Sequence, residues 1–415
     1  MFLALRYPTF RRLFAAHIVA LVGTGLATIA IGFLAFDLAG GEASAVLGTI
    51  MAIKMCTYLV VGPLAPVIAA RIGARRLLIG TDILRCGVAA ALPFIDGLAQ
   101  AYALIFVLQA ASALFTPTFQ AAIPTVVTDR NAYTGALALS RLAYDLETLA
   151  SPALAGLLLL AMPSSALFFG TAVGFAASAT LILSVALPRP PAEERPPFRQ
   201  QLTRGSRMMF RMPILRGILL LHLALAAVGA IIQVLTVPMV RGELGGSEPQ
   251  SASVLAAFGL GCMTSAVLMP TLIARVGVRR YMVSGLTLMI VITPALWPLI
   301  ALTPESWAIP AVSVLWFALG LGYSATLAPM GRVIRDHISD HDLPDVFAAQ
   351  FSLAHGWWLI TYPLAGWGGT IIGIGPISLV LAIIAAAALV GALRSWPSCS
   401  RGPVNNVERT EVHHG

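Results

Sequence analysis

Apolar residues in this chain come in long runs, and polar residues gather in the short breaks between them. A helix needs about 20 mainly apolar residues to cross a bilayer. Twelve segments qualify: 13–37, 44–69, 77–96, 99–124, 134–161, 165–187, 214–240, 251–274, 281–300, 306–331, 345–372 and 375–394. The runs are too long for barrel strands and lack their two-residue alternation. Proline and glycine inside them are compatible with membrane helices. The pattern predicts an all-α membrane protein of twelve transmembrane helices.

Composition agrees. The 415 residues are 58% hydrophobic and 11% charged, with a mean hydropathy of +0.87. A soluble chain carries roughly a quarter charged residues, so lipid must face most of this one. Lys and Arg number 26 against 18 acids, and Lys54 is the single lysine. A nucleic-acid partner would need that charge on one folded, soluble face. Here the arginines sit between apolar runs, so no nucleic-acid partner is expected and the charge is read as topology. Arg6, Arg11, Arg12, Arg71, Arg75, Arg76, Arg130, Arg275, Arg279, Arg280, Arg332 and Arg335 fall on the side of both termini. The opposite side keeps Arg241, beside Glu243, with Asp37, Glu42, Asp96, Glu248 and Glu305. Both termini are therefore expected in the cytoplasm. Low Lys with abundant Ala and Arg suggests a GC-rich bacterium, and hence a multi-pass protein of the bacterial inner membrane.

Several classes are disfavoured. Cys56, Cys86 and Cys262 lie within apolar runs and Cys399 lies near the end, with no CxxC spacing, so neither a disulfide framework nor a zinc site is indicated. The run after Arg12 is too long for a signal-peptide core. No GxxxxGK[ST] stretch occurs, so ATP hydrolysis is not expected. An enzyme would cluster acids, His and Ser in a loop near one interface, whereas these loops hold mainly Arg, so enzymatic activity is not expected, and no cofactor is expected.

An eleven-residue stretch occurs twice. Pro66, Ala70, Arg71, Gly73, Arg75 and Arg76 recur in register as Pro270, Ala274, Arg275, Gly277, Arg279 and Arg280. His17 and His222, and Pro124 and Pro329, repeat at nearly the same offset. Such matches at half the chain length point to duplication of a six-helix unit. The expected organisation is a bundle at 1–187, a basic Pro/Arg-rich linker at 188–213, a second pseudo-symmetric bundle at 214–395 and a disordered tail at 396–415. Phe198, Leu202 and Met209 share a helical face, so the linker's second part is read as a surface helix on anionic lipid headgroups.

The basic hairpin resembles the signature between spans 2 and 3 of the major facilitator superfamily: Gly62, Leu64, Arg71, Gly73, Arg75 and Arg76, with a weaker copy at Arg275, Gly277, Arg279 and Arg280. The resemblance implies two bundles rocking about a central site, with these residues and Asp82 as a gating motif. Ala70 stands where the family has an acid, and Asp82 could supply it. Phe115 to Gln120 with Pro124, and Leu139 to Asp145, resemble the bacterial efflux branch of drug and siderophore exporters. Phe347 to His355 and Tyr362 to Trp367 are similar to nickel-resistance efflux proteins within it. The resemblance implies a proton-coupled antiporter exporting a small molecule or nickel-like metal ion, acting as a monomer. A siderophore or multidrug exporter is the alternative. A non-transporting membrane sensor is the reading from a different class, resting on Asp336, His337, Asp340, His341, Asp342 and Asp345.

Ionisable groups within spans are functional candidates by default. Lys54 falls about ten residues into span 2. In span 5, Arg141 and Asp145 are four apart and share a face, while Glu147 points elsewhere. Asp145 or Glu147 is the candidate proton carrier; an internal Arg141–Asp145 ion pair is the competing structural reading. His17, His222 and His355 could meet in one cavity as metal ligands or proton carriers, since imidazole suits nickel, copper and zinc. Interhelical hydrogen bonding is the commoner role for each. Gln109, Ser112, Thr116, Gln233, Tyr323 and Ser324 could add neutral polar groups.

Overall fold

A computed structural model describes residues 2–127, 129–159, 161–187, 198–339 and 342–396. Among these residues every regular element is helical. The first half of the chain contributes α1 (Pro8–Ala39), α2 (Ala43–Val61), α3 (Ala65–Ile72), α4 (Ala74–Ala91), α5 (Leu98–Val126), α6 (Arg130–Leu159) and α7 (Ala166–Leu183). After the connecting helix α8 (Phe198–Arg211) come α9 (Pro213–Ala230), α10 (Glu248–Val276), α11 (Val278–Ile292) and α12 (Leu296–Leu302). Helices α13 (Glu305–Leu327), α14 (Met330–Arg335), α15 (Leu343–Ile372) and α16 (Ile374–Ser395) complete the set. Nine described segments are long and apolar enough to cross a membrane, the first of which, Pro8–Ile72, spans α1 to α3. Helices α6 and α15 have 30 residues each, or about 45 Å at 1.5 Å per residue.

Local sequence explains where these helices start, break and end. Pro8 and Pro213 occupy the first turns of α1 and α9, where a missing N–H costs nothing. Ser247 and Gln250 form a reciprocal capping box at the start of α10. The run 44–69 is one apolar stretch but two helices, because Gly62 and Pro63 impose a 3-10 turn between α2 and α3. The Pro294 turn divides α11 from α12 in the same way. After α9 the chain continues through two π-helical turns, Ile231–Leu235 and Pro238–Glu243, which hydropathy alone does not indicate.

The repeated hairpin is a structural repeat. Gly73 (φ 89°, ψ 139°) joins α3 to α4, and Gly277 (φ 82°, ψ 154°) joins α10 to α11. Nothing lies within 4 Å of a Cβ built at either position, so backbone conformation, not space, requires glycine there. The arginines that follow do matching work. Arg75 donates to the carbonyl of Leu183 at the end of α7, and Arg279 donates to that of Trp396 just past α16. Arg12 reaches Ser184 O (3.1 Å) and Arg216 reaches Ser395 Oγ (3.2 Å) at the same two helix ends. Cations at helix C-termini satisfy orphan carbonyls and oppose the helix dipole. Arg71, Arg76, Arg275 and Arg280 are exposed.

The ties between the two halves gather at the end opposite this basic hairpin, here called the far end. Helix α2 crosses α15 so closely that a Cβ on Gly48 would lie 2.7 Å from Tyr362 O and 2.9 Å from Gly366 Cα. Beside that crossing, Ala45 N donates to Thr370 Oγ1 (3.2 Å) and Trp367 Nε1 to Thr49 Oγ1 (3.3 Å). Gly156 of α6 abuts Ala252 of α10. Arg241 joins Asp37 Oδ1 (2.8 Å) to Glu248 Oε1 (3.5 Å) and lies over the Phe36 ring. Glu248 in turn accepts from Ser164 N and Oγ. Arg241, noted in the sequence beside Glu243, thus binds acids from both halves.

Helix α8 corrects one expectation. It packs on α15, not on headgroups alone: Arg204 pairs with Asp342 and Asp345, and Gly205 sits against the Asp345 backbone. Acids at the start of α15 attract the linker arginine, and the missing side chain at Gly205 permits the approach. The expected linker residues 188–197 and the tail beyond Trp396 lie outside the described residues.

The Gly48 crossing yields a direct expectation. Gly48→Ala places a methyl group against backbone that cannot rotate aside, and the far end should open. In a background lacking native cysteines, a cysteine at buried Ser44 should then label several-fold faster with a membrane-impermeant thiol reagent. Gly80→Ala, whose new Cβ meets nothing within 4 Å, should leave the rate unchanged. Equal rates in Gly48→Ala and its parent would contradict this role.

Candidate functional site

Beneath the closed far end lies a cavity of about 330 Å3. It continues into a smaller one of about 170 Å3, and Lys54, Glu147, Gln233 and Tyr362 line both. Each helix contributes one face. His17, Leu21 and Thr24 follow the helical period on α1, as Lys54 and Tyr58 do on α2. His355, Trp358 and Tyr362 do the same on α15. Ser112, Phe115 and Thr116 come from α5, Glu147 from α6 and Gln233 from the first π turn, a distortion that often marks functional positions.

The cavity's charges are organised in two ways. Arg85 of α4 is paired with Asp82 one turn earlier, and its guanidinium lies 4.3 Å from the ring centroids of both Phe115 and Phe175. Asp82 also accepts from Ser178 Oγ of α7 (2.7 Å). This is a compensated pair inside the first half, and it corrects the expectation that Asp82 replaces the missing hairpin acid. Its carboxylate lies in the bundle interior, away from Arg71, Arg75 and Arg76. Lys54 differs. It makes no hydrogen bond or ion pair with the described residues, and Glu147 acts on it through the field across the cavity. Gly25 allows Glu147 and Ser151 to approach α1: a Cβ there would lie 1.8 Å from Ser151 Oγ and 3.0 Å from Glu147 Oε1.

The three histidines do not converge. His17 stacks on Phe119 with centroids 4.0 Å apart and lines the cavity. His355 donates through Nδ1 to Phe351 O (2.7 Å) and stacks on Tyr58 (5.9 Å). His222, the repeat partner of His17, instead meets Ile218 O (3.1 Å) and Gln350 (3.5 Å) outside the lining. Among the described residues no group of three or more His, Cys, Asp or Glu could hold a metal ion. The expected triad of His17, His222 and His355 is therefore not formed. In the acidic stretch before span 11, Asp336 meets Arg332, while Asp342 and Asp345 both meet Arg204. Asp340 and His341 lie outside the described residues, as do the side chains of Arg141 and Asp145.

Sequence reasoning selected Lys54, Glu147, His17, His355, Gln233, Ser112, Thr116 and Tyr323, all of which line the cavity. It missed Arg85 and Tyr58. Asp82 and Arg85 at i and i+3 within one apolar run carry a legible signal, since opposite charges one turn apart in lipid must pair. Gln109 and Ser324 were expected in the cavity and are not among its lining residues.

The transmembrane secretion effector family matches residues 1–333 of the chain. The chain belongs to that family, within the major facilitator superfamily. Solved structures agree on the fold. The nucleoside transporter NupG is 11% identical with a TM-score of 0.69, the alignment covering 93% of this chain and 98% of that one. A D-xylose–proton symporter is 15% identical with a TM-score of 0.69, covering 94% and 97%. A bacterial homologue of the human lysosomal transporter Spinster, inward-facing and unoccupied, is 12% identical with a TM-score of 0.68, covering 95% and 99%. At such identities the likeness speaks for fold alone. A search of curated proteins found no match. Family and fold make the chain a multi-pass membrane transporter of the major facilitator type.

The Asp82–Arg85 pair gives a stability test. Asp82→Asn leaves a buried guanidinium without its counter-charge, a change that costs roughly 3–5 kcal/mol. Thermal unfolding in detergent should show a clear loss, and Asp82→Asn combined with Arg85→Met should recover much of it. A double variant no more stable than the single one would contradict the pairing argument.

Proposed function

We propose that this transporter exports a small molecule from the cytoplasm of a bacterium across its inner membrane, driven by proton entry. Twelve spans in two six-helix bundles, 1–187 and 214–395, rock about the central cavity, with both termini in the cytoplasm. The observation that carries this reading is the cavity itself: Glu147 and Lys54, ionisable groups at mid-span, line one space beneath a far end held shut by the α2–α15 crossing. Ionisable residues facing a cavity inside a membrane bundle mark substrate and proton paths. The arginine excess at the basic end orients that end towards the cytoplasm.

Aromatic side chains and neutral polar groups surround the charges, which suits an organic molecule better than a bare metal ion. A nickel-like substrate would need ligating groups in a cluster, and the histidines offered for that purpose are apart.

Within this scheme Glu147 carries the coupling proton and Lys54 sets its charge balance. Proteoliposomes with an imposed pH gradient test it, screened with nickel, cobalt, a siderophore, a cationic dye and small amphipathic organic compounds. Glu147→Gln should abolish gradient-driven accumulation while leaving substrate exchange without a gradient measurable. Undiminished gradient-driven transport by Glu147→Gln would remove it from the proton path.

A further inference from the structure

Helix α11 presents two unlike faces. Tyr281, Met282, Gly285, Leu286 and Met289 are buried, and Gly285 packs on α13 against Gly322 and Ala325. The opposite face is open and carries a groove of about 430 Å3, larger than the transport cavity. Arg279 and Arg280 head this groove at the basic end, and Ser284, Thr287, Leu288 and Val291 continue it along the helix. Ser284 and Thr287 are short side chains and leave the recess. The Ser284 hydroxyl donates back to Tyr281 O (2.9 Å), so it asks nothing of the surroundings.

The groove has the length of one leaflet. Val291 lies eleven residues beyond Arg280, or about 16 Å at the helical rise. Half of a hydrocarbon core of about 30 Å is about 15 Å. The span Val278–Leu302 begins at these arginines, so the groove runs from the headgroup level towards the bilayer midplane. Its charge is uncompensated. Arg280 is exposed, Arg279 gives one donor to Trp396 O (3.2 Å), and among the described residues neither arginine is in an ion pair and no acid lines the groove. A guanidinium offers five donors, so most of theirs remain.

We propose that this face is a binding site for one anionic phospholipid of the leaflet at the basic end. Its phosphate takes Arg280 and the remaining donors of Arg279, and one acyl chain lies along Ser284, Thr287, Leu288 and Val291. Guanidinium matches phosphate in bidentate geometry, and basic recesses on membrane helices hold anionic headgroups. A zwitterionic headgroup would bring its own ammonium beside two arginines, with no lining acid to receive it. None of the groove residues lines the transport cavity. Lipid and cargo therefore occupy separate sites.

Native mass spectrometry of the delipidated full-length protein in detergent tests this, with dioleoyl phosphatidylglycerol and dioleoyl phosphatidylcholine as probes. The first phosphatidylglycerol should bind about tenfold or more tightly than the first phosphatidylcholine, as a charge-assisted contact implies. Arg280→Gln should remove most of that preference. Arg335→Gln, which deletes another exposed charge at the basic end, should keep it. Thr287→Trp fills the groove without altering charge and should weaken both lipids, while excess glycerol 3-phosphate, a phosphate without chains, should displace neither. Equal affinity for the two lipids overturns the proposal. So do an equal loss in Arg335→Gln, undiminished binding by Thr287→Trp, or displacement by glycerol 3-phosphate. A lipid-free dimer that Thr287→Trp abolishes would give the face to a second copy and overturn it as well. The rank order in the unmutated protein needs no variant, so misfolding of a variant leaves the test intact. Every readout is lipid occupancy, so failure here leaves the export reading standing.

Discussion

The structure depends on how closely two backbones approach where α2 crosses α15. A Cβ on Gly366 would lie 2.4 Å from Ser44 O and 2.7 Å from Gly48 Cα, so no side chain fits on either helix at that point. In lipid the hydrophobic effect does little to hold helices together, and small residues matter because they permit close van der Waals contact. This crossing shuts the far end and brings Lys54, six residues further along α2, to a depth of roughly 9 Å beneath it. The exposed Arg241 network adds to the closure, but partly solvated ion pairs contribute little each. Packing, more than these charges, holds the far end together.

Closure sets the electrical character of the interior. The Asp82–Arg85 pair lies within the first half and is reinforced by Ser178 and two aromatic rings, so it can travel with that half unchanged. Lys54 and Glu147 also belong to the first half, yet they face second-half residues Gln233, Tyr323, His355 and Tyr362 across the cavity. Movement of the halves would alter their surroundings and leave Asp82 and Arg85 nearly as they are. Asp82 and Arg85 are paired within the first half, whereas Lys54 and Glu147 line a space shared with the second.

Much of the fold was legible because lipid imposes long apolar runs and charge asymmetry marks the basic end. The repeat was legible too, but the contacts of Arg75 and Arg279 were not, since they depend on where the distant helices α7 and α16 end. Lys54 stood out as the single lysine, inside an apolar run. Arg85 was overlooked although Asp82 lies one turn away. His222 shows the limit of reasoning from internal symmetry: duplication gives equivalent positions, and later divergence assigns them different neighbours. The π turns that carry Gln233 into the lining depend on packing, and hydrophobic period cannot distinguish them from an ordinary helix.

The central claim is that the two ends of the molecule open reciprocally about the cavity. Spin-label distances in nanodiscs measure this directly, with one pair at Gly41 and Ser253 across the far end and another at Ile72 and Val276 across the basic end. As pH is lowered, the two distances should change in opposite senses, one lengthening while the other shortens. Distances that stay fixed, or that lengthen together, would contradict the account.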